Sequence, residues 1–235
     1  MNKAVIKAIL WDVDGTLLDF KYSQEYALGK CLNTIGISIT PELLTRYAEI
    51  NDLYWKRMEQ LEITREELLV GRFLQLFKEY NIKNVDTEAF LKEYQEALGS
   101  IYSYLDDSFL LCKGLQDNYT QYIVTNGVAS TQHKKLKLSG FDQLMNDIFI
   151  SEEIGADKPS PLFFDYCFER IRDKKGEEVK RDEILIVGDS LTSDIAGGCQ
   201  GGILTCWYNK ENIENHTEIK ADYEIQHLSQ IHEII

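Results

Sequence analysis

Histidine is scarce in this 235-residue chain, with only four residues. His133 stands alone early in a helical stretch, and His216, His227 and His232 are spread over the C-terminal segment, so no coherent zinc site is expected. Cysteine is hardly commoner. Cys31, Cys112, Cys167, Cys199 and Cys206 are odd in number, scattered and without a CxxC pair, which argues for reduced thiols and against a disulfide framework or a catalytic cysteine. Positive charge is also in short supply: 25 Lys and Arg face 39 Asp and Glu, a formal charge of -14. Such a surface repels a nucleic-acid backbone or an anionic membrane, so neither is expected as the main partner, although a local basic pocket can still hold a small phosphate. No apolar run approaches the length of a membrane span, and residues 1–7 carry no long apolar region with a small-residue cleavage site. The expected location is the cytoplasm. No internal repeat or low-complexity tract is present, and Arg172-Asp173-Lys174-Lys175-Gly176-Glu177-Glu178 reads as a solvated connection.

What remains is ample material for a globular protein, since 44% of residues are hydrophobic and the length allows a core domain carrying a smaller one. Apolar spacings of three and four predict helices over Ser23–Ile35, Pro41–Leu61, Arg65–Tyr80 and Thr87–Ser103. Thr40 before Pro41, and the capping box Thr64-Arg65-Glu66-Glu67, mark two of their starts. After them come short apolar or β-branched runs at Gln121–Thr125, Ile148–Ser151, Ile184–Val187 and Ile203–Trp207, separated by helical segments such as Ser130–Ser139 and Pro161–Ile171. This alternation predicts an α/β fold, a Rossmann-like parallel sheet with helices on both faces. The apolar run Ile6–Val13 belongs with that sheet, so the helical block is an insertion. A discontinuous core of residues 1–17 and 104–235 and an all-helical insert of 18–103 are expected, with Asp222–Ile235 closing the sheet as a short strand and a helix.

In an open α/β sheet ligands bind beyond the carboxyl ends of the strands, so function is sought in the residues after each strand. The first is followed by Asp12-Val13-Asp14-Gly15-Thr16. An Asp at a strand end can attack phosphorus, a second Asp two residues on can handle the leaving-group proton, and Gly15 lets backbone amides approach an anion. The bland alternative is an Asp-Gly turn with solvated carboxylates. Thr125-Asn126-Gly127 offers a hydroxyl, an amide and a backbone N–H for phosphate oxygens, or else a common Asn-Gly turn. Lys158, rigidly placed before Pro159, can neutralise both the nucleophile and a phosphoryl group, where the alternative is an ordinary surface lysine. Gly188-Asp189-Ser190-Leu191-Thr192-Ser193-Asp194 adds two carboxylates and with them an oxygen-rich pocket suited to Mg²⁺. Without a cation that charge would repel a phosphate dianion.

Together the four segments resemble the haloacid dehalogenase-like hydrolase superfamily, whose phosphatases carry DxDGT, a Thr or Ser, a Lys and a GDxxxxD segment in this order. The resemblance spans the chain, because the insertion looks like the family's type 1 helical cap. It implies that Asp12 is the nucleophile and Asp14 the general acid and base, that Thr125 and Lys158 bind phosphate and that Asn126 assists in positioning. It also implies Mg²⁺ held by Asp12, the backbone carbonyl of Asp14, and Asp189, with Asp194 outside the direct ligand set.

Gly188–Gly198 with Thr205-Cys206-Trp207-Tyr208-Asn209 resembles the bacterial pyrimidine 5'-nucleotidase branch. That implies a small phosphomonoester substrate, a pyrimidine nucleoside monophosphate such as UMP, dUMP or dTMP, and possible clearance of non-canonical nucleotides by a monomer or homodimer. Phe20, Tyr22, Tyr47, Tyr54 and Trp55 are candidate rings for stacking on a base, or else pack the insert's own core. Rival readings are a sugar-phosphate phosphatase or phosphomutase, a haloacid dehalogenase, which has no need of the acid at Asp14, and a non-catalytic phosphoryl-accepting switch, which usually lacks an inserted cap.

Overall fold

The run Ala8-Ile9-Leu10-Trp11 is buried at every position and forms β1 (Ala8–Trp11), as a strand covered on both faces requires. In the computed structural model, which describes residues 5–175 and 179–235, it is joined by β2 (Thr120–Thr125), β3 (Asp147–Ile150), β4 (Ile184–Gly188), β5 (Leu204–Tyr208) and β6 (Tyr223–Ile225). All pairings are parallel, in the order β3-β2-β1-β4-β5-β6, so the chain winds outward in both directions from β1. The strand order reverses at β1, which makes its carboxyl end the expected ligand crevice. Trp11 is fully buried, and its indole N–H is satisfied by Gln121 Oε1 at 3.0 Å, while Gln121 Nε2 donates to the Cys112 carbonyl at 2.8 Å.

The first strand is shorter than the predicted Ile6–Val13 because the chain curls at once. The Val13 carbonyl accepts the amides of Leu17 at 3.0 Å and Leu18 at 2.8 Å, leaving Asp12 and Asp14 on a tight loop. The chain divides into two compact units, Met1–Asp19 with Ser103–Ile235 and Phe20–Tyr102.

The second unit contains α1 (Phe20–Thr34), α2 (Pro41–Glu59), α3 (Arg65–Glu79) and α4 (Thr87–Leu98). Thr40 Oγ1 accepts the Leu43 amide, and Thr64 and Glu67 complete the capping box in both directions. The last helix stops at Leu98, short of the predicted Ser103. Gly99 follows, and the Ser100 hydroxyl turns back to the Ala97 carbonyl at 2.7 Å, a local bond that competes with further helix. The unit's core is aromatic: Phe73 stacks on Tyr47 at 5.5 Å and meets Phe90 and Tyr94 edge-on at 5.1 and 5.0 Å. Tyr47 is therefore a core ring, and Tyr54 packs over Gly71, where an added Cβ would lie 2.5 Å from its ring. Tyr22 stays exposed, and Phe20 packs against the same core.

In the first unit, α5 (Ser108–Leu115) precedes β2, and α6 (Ala129–Ser139) follows it. A four-residue turn, α7 (Ser151–Ile154), begins where β3 had been expected to continue, then come α8 (Pro161–Lys175) and, after β4, a π-helical turn (Leu191–Ile195) running into α9 (Ala196–Gly201). The predicted solvated connection is corrected in part: residues 172–175 extend α8, while 176–178 lie outside the described residues. A 3-10 turn (Leu228–Glu233) follows β6 where a helix was predicted. Among the described residues no helix is long and apolar enough to cross a membrane. All five cysteines are free, and burial pushes the Cys31 and Cys206 thiols up to about 11 and about 12, far from a reactive thiolate.

Phe73→Ala empties the centre of the aromatic cluster and is expected to cost about 3–5 kcal/mol. Hydrogen exchange should show the lost protection concentrated in residues 20–102, with the β-sheet amides retaining theirs.

Candidate active site

Lys158 lies at the mouth of the sheet and is 2% exposed. Its ammonium donates to Asp12 Oδ1 at 2.8 Å, Asp194 Oδ1 at 2.7 Å and the Val124 carbonyl at 3.0 Å, one acceptor for each proton. Burial works against its charge, but the two carboxylates outweigh that and raise its pKa. The lysine is aimed from behind by Asn126, whose Oδ1 accepts the Lys158 amide at 2.9 Å and whose Nδ2 donates to the Lys158 carbonyl at 2.8 Å. Asn126 was expected to donate to phosphate oxygens or to assist in positioning; in the structure its amide bonds the Lys158 backbone at both ends. The Gly127 N–H is likewise taken up, by Thr125 Oγ1 at 3.1 Å, which leaves the Thr125 hydroxyl proton for a ligand.

Asp12 follows β1, its amide bonded to the Val187 carbonyl at 3.0 Å. One carboxylate oxygen is fixed by Lys158; the other, Oδ2, is buried and accepts no hydrogen bond. Burial pushes the Asp12 pKa up to about 7, opposed by Lys158 and reinforced by Asp194 and Asp14. Asp189 keeps an edge open to solvent, yet burial within the site, followed by repulsion from Asp12 and Asp194, raises its pKa well above the usual carboxylate range. Asp194 is 1% exposed; Lys158 holds Oδ1 and the Ser190 amide donates to Oδ2 at 3.2 Å.

Two glycines make this crowding possible. A Cβ on Gly15, whose φ is +97°, would lie 2.3 Å from Asp189 Oδ2, and one on Gly188 would lie 2.3 Å from the Asp194 carboxyl carbon. Asp14 is held apart from these groups by α6, through Lys135 Nζ at 2.6 Å to Oδ1 and a short hydrogen bond from Gln132 Nε2 to Oδ2. Neither partner was singled out from sequence. Their i,i+3 spacing on a helix leaving the mouth of β2 was the available signal.

One oxygen from each of Asp12, Asp189 and Asp194 lies within 4.8 Å of the others. An all-oxygen set containing a buried, unpartnered carboxylate oxygen fits a hard divalent cation such as Mg²⁺ and suits zinc poorly.

Carboxylates, a buried lysine and a hydroxyl converging beyond a parallel sheet define a hydrolase of the phosphoryl-transfer type, and the chain belongs to the haloacid dehalogenase-like hydrolase family, whose description matches residues 6–202. Among solved structures, that of the HAD-hydrolase YfnB from Bacillus subtilis, bound to magnesium, superposes with a TM-score of 0.91 at 37% identity over 98% of each chain. Pyrimidine 5'-nucleotidase PynA of Streptococcus pneumoniae is 33% identical over 93% of this chain and 90% of its own. Pyrimidine 5'-nucleotidase YjjG of Escherichia coli is 28% identical over 97% and 96%. The protein is a phosphatase of this family.

The raised Asp12 pKa makes the metal-free fold bind that proton more tightly than the unfolded chain does. Its contribution to stability is full below 3.8, the ordinary value, and is lost as pH rises through about 7. A metal needs the deprotonated group, so the rise in melting temperature on adding Mg²⁺ should grow across the same window. Asp189→Asn should remove most of that rise in differential scanning fluorimetry; a full rise in the variant would take Asp189 out of the ligand set.

Proposed function

We propose that the protein hydrolyses pyrimidine nucleoside monophosphates, such as UMP, dUMP and dTMP, through an aspartyl-phosphate on Asp12. The observation that carries the chemistry is the Asp12 carboxylate itself, placed at the carboxyl end of β1 with Lys158 on one oxygen and the other left without a hydrogen-bond partner. In the first step one Asp12 carboxylate oxygen forms a bond to phosphorus as the ester P–O bond breaks, and Asp14 gives its proton to the departing alcohol oxygen. In the second step Asp14 takes a proton from water, the water oxygen bonds to phosphorus, and the Asp12–phosphorus bond breaks to release phosphate. Lys158 and the Thr125 hydroxyl orient the phosphoryl oxygens and offset their charge. Asp12, the Asp14 carbonyl and Asp189 would hold Mg²⁺, which would supply the positive charge that lets a phosphate dianion approach so many carboxylates.

The substrate class is supported by the two nucleotidase relatives, each aligned over nearly the whole chain. A dehalogenase acting on carbon would have no use for a proton donor at Asp14, and the structure equips that residue with two dedicated partners. The free thiols support a reducing, cytoplasmic setting.

The test is phosphate release with Mg²⁺ across pyrimidine and purine nucleoside monophosphates and sugar phosphates. Pyrimidine esters should lead in kcat/KM, and Asp12→Asn should lower turnover by roughly a thousandfold or more. Sugar phosphates in the lead would overturn the substrate assignment, and substantial turnover by Asp12→Asn would overturn the mechanism.

A further inference from the structure

Asp14 is gripped at both carboxylate oxygens by a single helix, a feature that phosphoryl transfer to Asp12 does not require. Lys135 is completely buried and Gln132 is 2% exposed. Burying an ammonium and an amide N–H is unfavourable unless each has a partner, and both donate to the same carboxylate, while Gln132 Oε1 is left without one. The local fold dictates this. The Gln132 amide bonds the Val128 carbonyl in the first turn of α6, which anchors the helix start beside β2, and a spacing of three places Gln132 and Lys135 on one face.

Gly127 belongs to the same device. A Cβ there would lie 2.1 Å from Gln132 Nε2 and 2.7 Å from its amide carbon, so any larger residue would block the side chain on its way to Asp14. Gly127 was expected to offer its N–H to phosphate, but that N–H is bonded to Thr125 Oγ1. The steric reason explains the glycine without a ligand contact.

We propose that Gln132 and Lys135 are positioning residues that set the plane of the Asp14 carboxylate for proton delivery, and that Gly127 is glycine to let Gln132 reach it. This rests on the assignment of Asp14 as proton donor. An aspartate's last torsion is broad and easily rotated, whereas donors on both oxygens hold the group as a two-point clamp. Each oxygen has a second lone pair beyond the one its clamp occupies, so one of them can carry the proton that Asp14 delivers while still accepting from its partner. A displacement of the order of an ångström at a catalytic group can lower rates by roughly a hundredfold, and general acid catalysis is worth about 10²–10⁴.

The clamp matters most where the leaving group needs a proton. An alkoxide leaving from UMP, or from whichever alkyl ester leads the panel, requires one; p-nitrophenolate departs without. The test compares kcat/KM for the two kinds of ester, a quantity that covers leaving-group departure and is insensitive to the later hydrolysis step. In Gln132→Leu, Lys135→Met and Gly127→Ala the ratio of p-nitrophenyl phosphate to alkyl ester should rise about tenfold or more, and further still in Asp14→Asn. A general loosening of the fold would lower both esters together and leave the ratio unmoved. Lys135→Met risks misfolding, which thermal melting reveals, and Gln132→Leu with Gly127→Ala then decide the matter. If Asp14→Asn shifts the ratio and those two do not, the clamp is overturned while the proton donor stands. If Asp14→Asn leaves the ratio unchanged, the proton-donor assignment fails and the clamp fails with it.

Discussion

The three hydrogen bonds of the Lys158 ammonium are the constraint on which the site depends. Asp12, Asp189 and Asp194 converge beyond the carboxyl ends of the strands, Asp189 exposed but Asp12 and Asp194 buried where water does little to separate like charges. A buried cation between Asp12 and Asp194 turns part of that repulsion into attraction, and the Val124 carbonyl takes the remaining proton. Its placement depends in turn on Asn126, which fixes the Lys158 peptide through both ends of its amide. The site is thus braced across β1, β2 and β4, three adjacent strands, rather than carried by one loop.

Crowding of this kind is paid for in side-chain volume. Gly15, Gly188 and Gly127 each stand where a Cβ would strike a neighbour's polar head, respectively the Asp189 carboxylate, the Asp194 carboxylate and the Gln132 amide. The glycines are therefore read as space for acidic or amide groups more than as hinges, and only Gly15 among them has a positive φ. Two cations then divide the acidic groups between them. Lys158 pairs with Asp12, the proposed nucleophile, and Lys135 with Asp14, the proposed proton donor. Separate cations keep the two acidic groups of one short loop in different environments, as distinct chemical roles demand.

Much of this was legible in the order of residues. β1 and β4 are nearly continuous apolar runs, and each ends in acidic residues, so the parallel sheet and the place of its crevice followed from pattern alone. The capping box at Thr64 and the N-cap at Thr40 marked helix starts to the residue because both are local hydrogen-bonding devices. Ends were harder: α4 stops at Leu98 through a single serine bond that periodicity does not register. The fates of side chains were harder still. Tyr47 had been a candidate for substrate stacking and is a core ring, since a helix face reveals burial but not what it is buried against. Asn126 and Gly127 looked like phosphate donors, and their bonds to Lys158 and Thr125 depend on a loop folded across 32 residues and on a turn two residues long. Gln132 and Lys135 went unnoticed because their partner is more than a hundred positions away.

The most direct measurement is the identity of the phosphorylated residue during turnover. Enzyme quenched in acid while hydrolysing UMP with Mg²⁺, then reduced with borohydride, converts an aspartyl-phosphate to homoserine that peptide mass spectrometry can locate. Homoserine at position 12, dependent on substrate and absent elsewhere, is the predicted result. An enzyme that turns over rapidly with no acyl-phosphate at any stage of the reaction, or with the label at Asp14, Asp189 or Asp194, would contradict Asp12 as the nucleophile and with it the role assigned to Lys158.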